Sequence, residues 1–233
     1  MTKSSAAAKA SPVHFSVSVE DYLKAIYHLT EGGDVASTTA IAERLGVAAP
    51  SVTGMVKRLA EQGLVRHEPY RGAELTGPGR RAALRTVRRH RVLEAYLVAF
   101  LGYDWGSVHD EAERMEHAVT DLLVERMAQA LGNPSVDPHG DPIPAPDGTI
   151  AEVIYTPLSE MPAGPAVVSR VQAEDRERLR YLASVGLVPG ADVVVLAHAP
   201  FAGPVTVRVG THTQVIGREL GDLVLCHTAG ASR

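Results

Sequence analysis

The sequence predicts a mainly α-helical protein with a small β-rich C-terminal part, and three observations support this fold class. Apolar residues recur at helical spacing through most of residues 17–131. Residues 133–148 are then rich in proline, as in a linker between domains. Beyond them, short runs of β-branched residues alternate with Gly and Pro turns, a pattern typical of a small β-barrel.

Length and composition limit the class of protein. A chain of 233 residues can bury one large or two small cores, and 45% hydrophobic with 21% charged residues is typical of a globular protein. No apolar run approaches the roughly 20 residues of a membrane span. Residues 1–15 lack the apolar core of a secretory signal, so we expect a disordered lead-in and a cytoplasmic protein. The single cysteine, Cys226, excludes an internal disulfide and a multi-cysteine zinc site.

Residues 16–79 predict a winged-helix domain. Ser18 is a suitable N-cap for a first helix, and a second, short helix ends at Gly46. A third helix is expected to begin at Pro50, because proline is favoured at the first helical position. Two short strands around a turn follow over residues 64–76. Helix, turn, helix and hairpin in this order are typical of a winged helix.

The third of these helices is expected to enter the major groove of DNA, as the second helix of a helix-turn-helix motif does. Alanines precede this helix, so its first N–H groups have no side-chain cap and are available to a phosphate. The alternative is a winged helix that contacts only proteins. We predict base contacts from Pro50, Ser51 and Gly54 and phosphate contacts from Thr38, Thr39, Thr53, Lys57 and Arg71.

The distribution of charge separates two regions of the chain, whose overall net charge is −4. Residues 35–91 contain eleven basic and four acidic side chains, a net charge of +7. Residues 92–132 contain eight acidic and two basic ones, a net charge of −6. A basic region followed by an acidic region indicates one part that binds a polyanion and another that binds cations.

Residues 80–132 predict two long helices, over 80–101 and 108–131. Acidic and imidazole side chains recur on them at i,i+3 and i,i+4 spacing, and therefore share one face of each helix. Such groups among apolar neighbours are costly to bury without a cation, which predicts a two-cation site. The alternative is a pair of solvated amphipathic helices with ordinary surface charges. The groups are His90 and Glu94 on the first helix and His109, Glu113, Glu116 and His117 on the second.

The same two helices carry more large apolar side chains than they can bury against each other. Such a surplus predicts an interface with a second copy of the chain, and hence a homodimer. The residues concerned include Tyr96, Phe100, Leu122, Leu123 and Met127.

Residues 133–164 are expected to form an extended, semi-rigid, proline-rich linker. His139 and Asp141 in this linker are possible metal ligands, but a loop-capping or solvent-exposed role is favoured for them. Residues 165–233 are expected to form four or five short strands around one short helix. That pattern predicts the small barrel.

This order of features resembles the diphtheria-toxin-repressor family of metal-dependent transcription regulators. The resemblance extends from Val17 onward and lies in the segments DYLKAIY, IAERLGV, VKRLAEQGLV, RRHRVLE, VHDEAERMEH and DPHGDPIP. It implies three domains: an N-terminal winged helix-turn-helix, a helical metal-binding and dimerisation domain, and a C-terminal SH3-like (FeoA-like) barrel. It also implies a repressor of metal-homeostasis genes whose dimer binds operator DNA when metal is bound.

The resemblance also implies the ligands of two metal sites. Asp21, Glu113, Glu116 and His117 would form the primary site, and His90, Glu94 and His109 the ancillary site. The C-terminal domain would add a carboxylate to the ancillary site from Asp175, beside Glu174.

Two of these positions distinguish the branches of the family. Iron-sensing members place methionine and cysteine where this chain has Asp21 and Glu113, whereas manganese-sensing members place carboxylates there. Hard oxygen ligands also suit Mn²⁺, so we expect the manganese-sensing branch, with Fe²⁺ as the alternative. Co²⁺, Ni²⁺, Cd²⁺ and Zn²⁺ are expected to substitute in vitro.

A different class, the di-metal carboxylate enzymes, also uses glutamate and histidine on helices. Those enzymes place Glu and His three positions apart, whereas Glu113 and His117 are four apart. The chain also lacks HExxH, a phosphate-binding glycine loop and a nucleophile elbow. We therefore predict that the protein is not an enzyme.

Overall fold

The computed structural model describes residues 15–33, 35–68, 71–151, 153–173 and 175–229. Those up to Ala83 form one compact unit and those from Leu84 onward form a second. The second unit thus includes most of the predicted helical domain and the whole described part of the C-terminal domain. The predicted lead-in over 1–14, the turn of the hairpin at 69 and 70, and Glu174 lie outside the described residues.

The first unit has the predicted three helices and hairpin. Its inward-facing residues recur at helical spacing, and Leu23, Ile26, Ile41 and Leu59 are completely buried. The two strands pair in antiparallel register from Val65 opposite Leu75. The elements are α1 (Val17–Thr30), α2 (Thr38–Leu45), α3 (Ala49–Glu61), β1 (Val65–Glu68) and β2 (Gly72–Leu75).

The helix starts differ slightly from the prediction. Ser16, and not Ser18, is the N-cap of α1, and its hydroxyl accepts a hydrogen bond from the N–H of Val19. Helix α3 begins at Ala49, so Pro50 occupies its second position, where a missing N–H also costs nothing. No side chain caps α3, as predicted.

The long helix α4 (Gly77–Leu101) begins at a Gly-Pro-Gly sequence, three residues before the predicted start at residue 80. Proline is tolerated in the first turn of a helix, and the hydroxyl of Thr76 accepts the N–H of Gly79. Gly79 must be glycine because a Cβ there would lie 1.9 Å from the carbonyl oxygen of Leu64. The beginning of α4 is therefore fixed against the chain that enters the hairpin.

The helix predicted over 108–131 is two helices, α5 (Val108–Met115) and α6 (Asp121–Ala130). Thr120 has an extended backbone, and its side chain accepts the N–H of Leu123, so it caps a new helix. Apolar residues continue at helical spacing across both segments, so the sequence pattern did not indicate this break. Glu116 is consequently the C-cap of α5, and His117 lies beyond the helix.

Salt bridges and a small apolar cluster join α4 to α6. Val92 of α4 packs with Val124 and Ala128 of α6. On one side of this contact, Arg85 and Arg89 each pair with the carboxylate of Asp121 at 2.8 Å. Several arginines of the basic region thus pair with acidic side chains of the same protein. The positive charge that this region offers to a polyanion is therefore smaller than the sequence indicated.

The proline-rich segment is not the extended spacer that was predicted. Val136 and Pro142 form an antiparallel bridge, so the chain between them makes a tight loop. Arg88 of α4 donates to the carbonyl of Pro144 at 2.7 Å and makes a two-pronged salt bridge with Glu125 of α6. Ile143 packs against the apolar cluster of α4 and α6. The segment is therefore attached to the helices along much of its length.

The C-terminal region forms a six-stranded antiparallel sheet in the order β3-β8-β4-β5-β6-β7, where four or five strands were expected. Bulges in β4 and β5 curve it. Its core of aliphatic residues includes Cys226, and burial raises the pKa of this thiol to about 12. The elements are β3 (Thr156–Pro157), β4 (Gly164–Val171), α7 (Arg176–Ser184), β5 (Asp192–His198), β6 (Val205–Val209), β7 (His212–Ile216), α8 (Arg218–Leu223) and β8 (Val224–Thr228).

None of the described helices combines the length and the apolar character needed to cross a membrane. Phe100, Leu122 and Leu123, predicted to lie at a dimer interface, are exposed. Tyr96 stacks on Phe100, and Met127 packs on the cluster between α4 and α6.

We expect Asp121→Asn to destabilise the second unit in a pH-dependent way. Burial would raise the pKa of Asp121, but hydrogen bonds from Arg85 and Arg89, and their charges, outweigh burial and lower it. A carboxyl with a lowered pKa stabilises the fold above its unfolded pKa, and this stabilisation is lost as the pH falls through the folded-state pKa. The loss at pH 7 should be about 1 kcal/mol or less, because the side chain is 42% exposed.

Urea unfolding followed by the fluorescence of Trp105, the only tryptophan, measures this effect in the same unit. The difference between wild type and Asp121→Asn should disappear in acid. Asp192→Asn, which changes an exposed carboxyl at the start of β5, is the control. A difference that stays constant from neutral to acid pH would show that the ionised carboxylate of Asp121 is not the source of the stabilisation.

Candidate metal centre and DNA-binding surface

Glu94 of α4 is at the centre of a buried cluster of acidic and imidazole side chains. Only 2% of its side chain is exposed. His90 lies one helical turn earlier, with its Nε2 atom 3.0 Å from Oε1 of Glu94. His109, from the first turn of α5, places Nδ1 3.2 Å from the same oxygen. The three residues of the predicted ancillary site are therefore brought together.

His90 also faces the second set of predicted ligands. Its Nδ1 atom lies 2.6 Å from Oε2 of Glu116, a residue with no exposed surface, and 3.5 Å from Oε2 of Glu113. Nε2 of His117 lies 3.4 Å from Oε1 of Glu116. The end of α5 thus brings Glu113 and Glu116 close to His90, and His117 follows directly after the end of the helix.

His139 joins the cluster, so the loop-capping or solvent-exposed role that was favoured for it is wrong. Its Nδ1 atom lies 3.7 Å from Oε2 of Glu94, and the residue is 6% exposed. Asp137, which the sequence analysis missed, is 7% exposed and lies in the same group. The Asp137 carboxylate accepts the N–H groups of His139 and Asp141, so it is Asp137 that caps the loop. The aspartate two residues before His139, in a glycine-containing loop, was the signal available in the sequence.

Imidazoles determine the protonation of Glu94. Burial would raise the pKa of Glu94, but the charge of His90 and hydrogen bonds from His109, His139 and His90 hold it well below its usual range. Burial would likewise lower the pKa of His139, yet its hydrogen bond with Glu94 and the nearby negative charges raise it. Glu94 is therefore an anion that needs positive partners.

Asp137 has the opposite shift. Burial, followed by the negative charges of Asp141 and Glu94, raises its pKa to about 8, and Arg91 and His139 only partly oppose the rise. The cluster therefore contains more carboxylates than its imidazoles and Arg91 neutralise. An added cation would relieve this imbalance.

The donor atoms suit a divalent cation. One ligand atom each from His90, His109 and Glu113 lie within 4.8 Å of one another. Those of Glu94, Asp137 and His139 form a second group of the same kind. Several separations within the cluster are close to 3 Å, as expected for neighbouring ligands around an ion with bonds of about 2.0–2.6 Å. Nitrogen and oxygen donors of these types bind Zn²⁺ and Mn²⁺ alike.

Two further predicted ligands come from other segments of the chain. Asp21 is half-buried on α1 of the first unit, so the complete primary set stays a prediction. Asp175 is the N-cap of α7, where its carboxylate accepts the N–H of Arg178 at 2.8 Å. It belongs to none of the converging groups that the described residues form, and its role as a ligand also stays a prediction.

The predicted DNA-reading helix has a buried and an exposed face. Val52, Val56 and Leu59 of α3 are buried in the first unit. Gly54 lies on the open side, and a Cβ added to it would meet nothing within 4 Å. Exposed Arg71 of the hairpin pairs with Glu68 at 3.1 Å. Of the other predicted contacts, Thr38 is half-buried and Thr39, Pro50, Ser51, Thr53 and Lys57 are exposed.

Three protein families match the chain in succession. Residues 14–73 match the family described as "Iron dependent repressor, N-terminal DNA binding domain". Residues 76–145 match "Iron dependent repressor, metal binding and dimerisation domain", and residues 156–227 match the FeoA domain. A DNA-binding domain, a metal-binding dimerisation domain and an SH3-like domain define a metal-dependent transcriptional repressor, not an enzyme.

Individual relatives identify the family. The iron-dependent repressor IdeR of Mycobacterium leprae is 36% identical over 209 residues, which cover 84% of this chain and 90% of the relative. The diphtheria toxin repressor of Corynebacterium efficiens is 33% identical over 89% of this chain and 86% of the relative. A solved manganese-dependent transcriptional repressor in complex with manganese is 41% identical, covers 90% of this chain and 99% of its own, and has a TM-score of 0.85. The chain belongs to the diphtheria-toxin-repressor family.

We expect His139→Ala to weaken the binding of Mn²⁺ and Co²⁺ by at least about tenfold, because it removes an imidazole from the group around Glu94. Calorimetric titration of the metal-free protein measures the affinity. His212→Ala changes an exposed histidine on β7 and is the matched control, expected to bind like wild type. Equal affinities of wild type and His139→Ala would exclude His139 as a ligand.

We expect Gly54→Ala to stabilise the first unit and to weaken DNA binding. The added methyl group would lie on the exposed face of α3 that is predicted to contact bases. A glycine inside a helix costs about 1 kcal/mol relative to alanine, and no internal contact of Gly54 requires it. Thermal unfolding and a mobility-shift titration on the same preparation separate the two effects. A variant with a higher melting temperature and unchanged affinity for DNA would show that nothing approaches Gly54 closely.

Proposed function

We propose that this protein is a manganese-responsive repressor of metal-homeostasis genes that binds operator DNA as a homodimer. The observation that carries the choice of metal is the donor set. Each side chain in the cluster around Glu94 offers nitrogen or oxygen, while the only cysteine is buried in the core of the C-terminal sheet. Carboxylates favour hard ions such as Mn²⁺, whereas sulfur ligands favour softer ones.

The comparisons contain relatives of both metal specificities. The 41% identical structure is described as a manganese-dependent repressor, and the 36% identical relative as an iron-dependent one. We favour manganese because this chain has the carboxylates Asp21 and Glu113 at the two positions where iron-sensing members have methionine and cysteine. Fe²⁺ remains the alternative, since it also binds to carboxylate and imidazole ligands.

The proposed ligands lie in two sets. His90, Glu94 and His109, with His139 and Asp137, would hold one cation, and Glu113, Glu116 and His117 would hold another together with Asp21. A bound divalent cation supplies the positive charge that these carboxylates share. The side chains themselves are held by α4, α5 and the loop at 137–142, so ligation restrains all three segments.

Asp21 has a separate function in this proposal. It belongs to the DNA-binding domain, so a ligand at this position makes DNA binding depend on metal. Metal must bind the DNA-competent arrangement more tightly than other arrangements, and the shift in population cannot exceed that difference. In the dimer, two reading helices about 34 Å apart can enter successive major grooves.

The dimer is supported by exposed apolar side chains on the helices of the second unit. Phe100 is 54% exposed and Leu122 65% exposed, and such large apolar surfaces are typical of interfaces. They lie at the C-terminal end of α4 and the N-terminal end of α6. The family match to a dimerisation domain over residues 76–145 includes both positions.

We expect wild-type protein to bind operator DNA only with a divalent cation, with saturating Mn²⁺ giving tighter DNA binding than saturating Zn²⁺ or Ni²⁺. Asp21→Ala should keep the fold and the dimer but lose the response to metal, because the DNA-binding domain would lose its ligand. Mobility-shift titrations across a panel of divalent ions, with size-exclusion chromatography for the dimer, measure both properties. DNA binding that is indifferent to EDTA would refute the proposed function, and a full metal response of Asp21→Ala would refute the proposed role of Asp21.

A further inference from the structure

Arg91 of α4 is a buried arginine whose polar contacts converge on one loop. The residue is 3% exposed. Nη1 donates to the carbonyl of Pro142 at 2.6 Å, and Nη2 donates to Oδ1 of Asp141 at 3.0 Å. Nε lies 3.8 Å from Oδ2 of Asp137. The guanidinium group therefore spans the loop formed by residues 137–142.

This 137–142 loop presents two donors to the metal centre. The Asp137 carboxylate accepts the backbone N–H of His139 at 2.8 Å and that of Asp141 at 3.0 Å, which closes the loop. The same closure leaves the His139 imidazole beside Glu94. The position of His139 is thus determined by a loop that Arg91 holds in place.

Strand β4 of the C-terminal sheet contacts the other side of the loop. The N–H of Val171 donates to the carbonyl of His139 at 2.8 Å. Arg170 forms a salt bridge of 2.5 Å with the Asp141 carboxylate that Arg91 also binds. Gly140 has a φ of +85°, and a Cβ there would lie 2.0 Å from the carbonyl oxygen of Ser169. The loop is therefore closely packed between α4 and the sheet.

Trp105 also contacts the 137–142 loop, and its fluorescence is therefore sensitive to the position of the loop. Its indole N–H donates to the carbonyl of Pro138 at 2.8 Å, and Nε2 of His139 lies 3.1 Å from the carbonyl oxygen of Trp105. The two rings are 5.3 Å apart. Displacement of His139 would therefore change the surroundings of the only tryptophan.

We propose that Arg91 is a positioning residue, which holds the 137–142 loop so that Asp137 and His139 face Glu94, and which through Asp141 makes metal affinity depend on β4. The inference rests on the proposed function, since it concerns the same cations. A guanidinium buried this deeply requires its acceptors, so the loop cannot move away without leaving an unpaired buried charge. Arg91 itself touches no metal.

Lysine cannot replace Arg91 in this function. The guanidinium is a planar fork that donates to Pro142 and Asp141 at once, whereas an ammonium is a point charge on a flexible stem. Arg91→Lys therefore keeps the positive charge and loses the geometry. Arg88→Lys is the matched control: Arg88 also donates to a carbonyl of the proline-rich segment and pairs with Glu125, but contacts none of the proposed ligands.

The test is a double-mutant cycle read by Co²⁺ titration, with calorimetry, the visible absorption of bound Co²⁺ and Trp105 fluorescence as readouts. Arg91→Lys should weaken Co²⁺ binding by about tenfold, as does the loss of other groups that orient ligands. Its Co²⁺ spectrum should match that of His139→Ala. The loss in the double variant should be clearly smaller than the sum of the two single losses, because both changes act on the position of the same loop. Arg88→Lys should bind like wild type.

Additive effects in the cycle would overturn the inference, as would unchanged affinity in Arg91→Lys or an equal loss in Arg88→Lys. If Arg91→Lys does not fold, Asp141→Asn can be used instead, because Asp141 is bound by both Arg91 and Arg170. Its effect on Co²⁺ affinity should likewise be smaller in the His139→Ala background than in wild type. Failure of wild type to bind any divalent ion would refute the proposed function. Wild-type binding that needs His139 but is indifferent to Arg91 and Asp141 would refute this inference alone.

Discussion

The buried carboxylate of Glu94 is the constraint on which the metal-binding region depends. A carboxylate that is 2% exposed is unstable in an apolar surrounding unless positive or hydrogen-bonding partners surround it. Its partners are His90 on the same helix, His109 on α5 and His139 in the 137–142 loop. Three separate segments therefore have to meet at one point. A group of this kind fits a regulator, because a cation bound there restrains every segment that supplies a ligand.

The arginines of α4 provide the framework around this centre. Arg85 and Arg89 pair with Asp121, Arg88 pairs with Glu125, and Arg91 holds the 137–142 loop. The charge asymmetry of the sequence therefore has two causes. Part of the basic region belongs to the DNA-binding domain, as a polyanion partner requires, and part compensates the acidic helix that follows it in the same protein.

Much of the fold followed from local patterns. Helical spacing correctly placed His90 and Glu94 on one face, and the helix-turn-helix and hairpin were recognisable from their turn residues. The break between α5 and α6 was missed because apolar spacing continues across it, and only the cap at Thr120 marks the new helix. The capping of its own loop by Asp137 had a local signal in the sequence that was missed, whereas its proximity to Glu94 depends on the tertiary structure.

The sequence by itself determined most of the helices, the winged-helix motif, the family and most of the candidate ligands, because these depend on short-range spacing and on residue type. Only the tertiary structure decided that the proline-rich segment folds back on α4, that His139 is buried beside Glu94, and that Arg91 holds them there. The physical reason is distance along the chain. Arg91 and Asp141 are fifty positions apart, and no local periodicity relates them, whereas a buried charge in the folded protein must be paired wherever its partner lies.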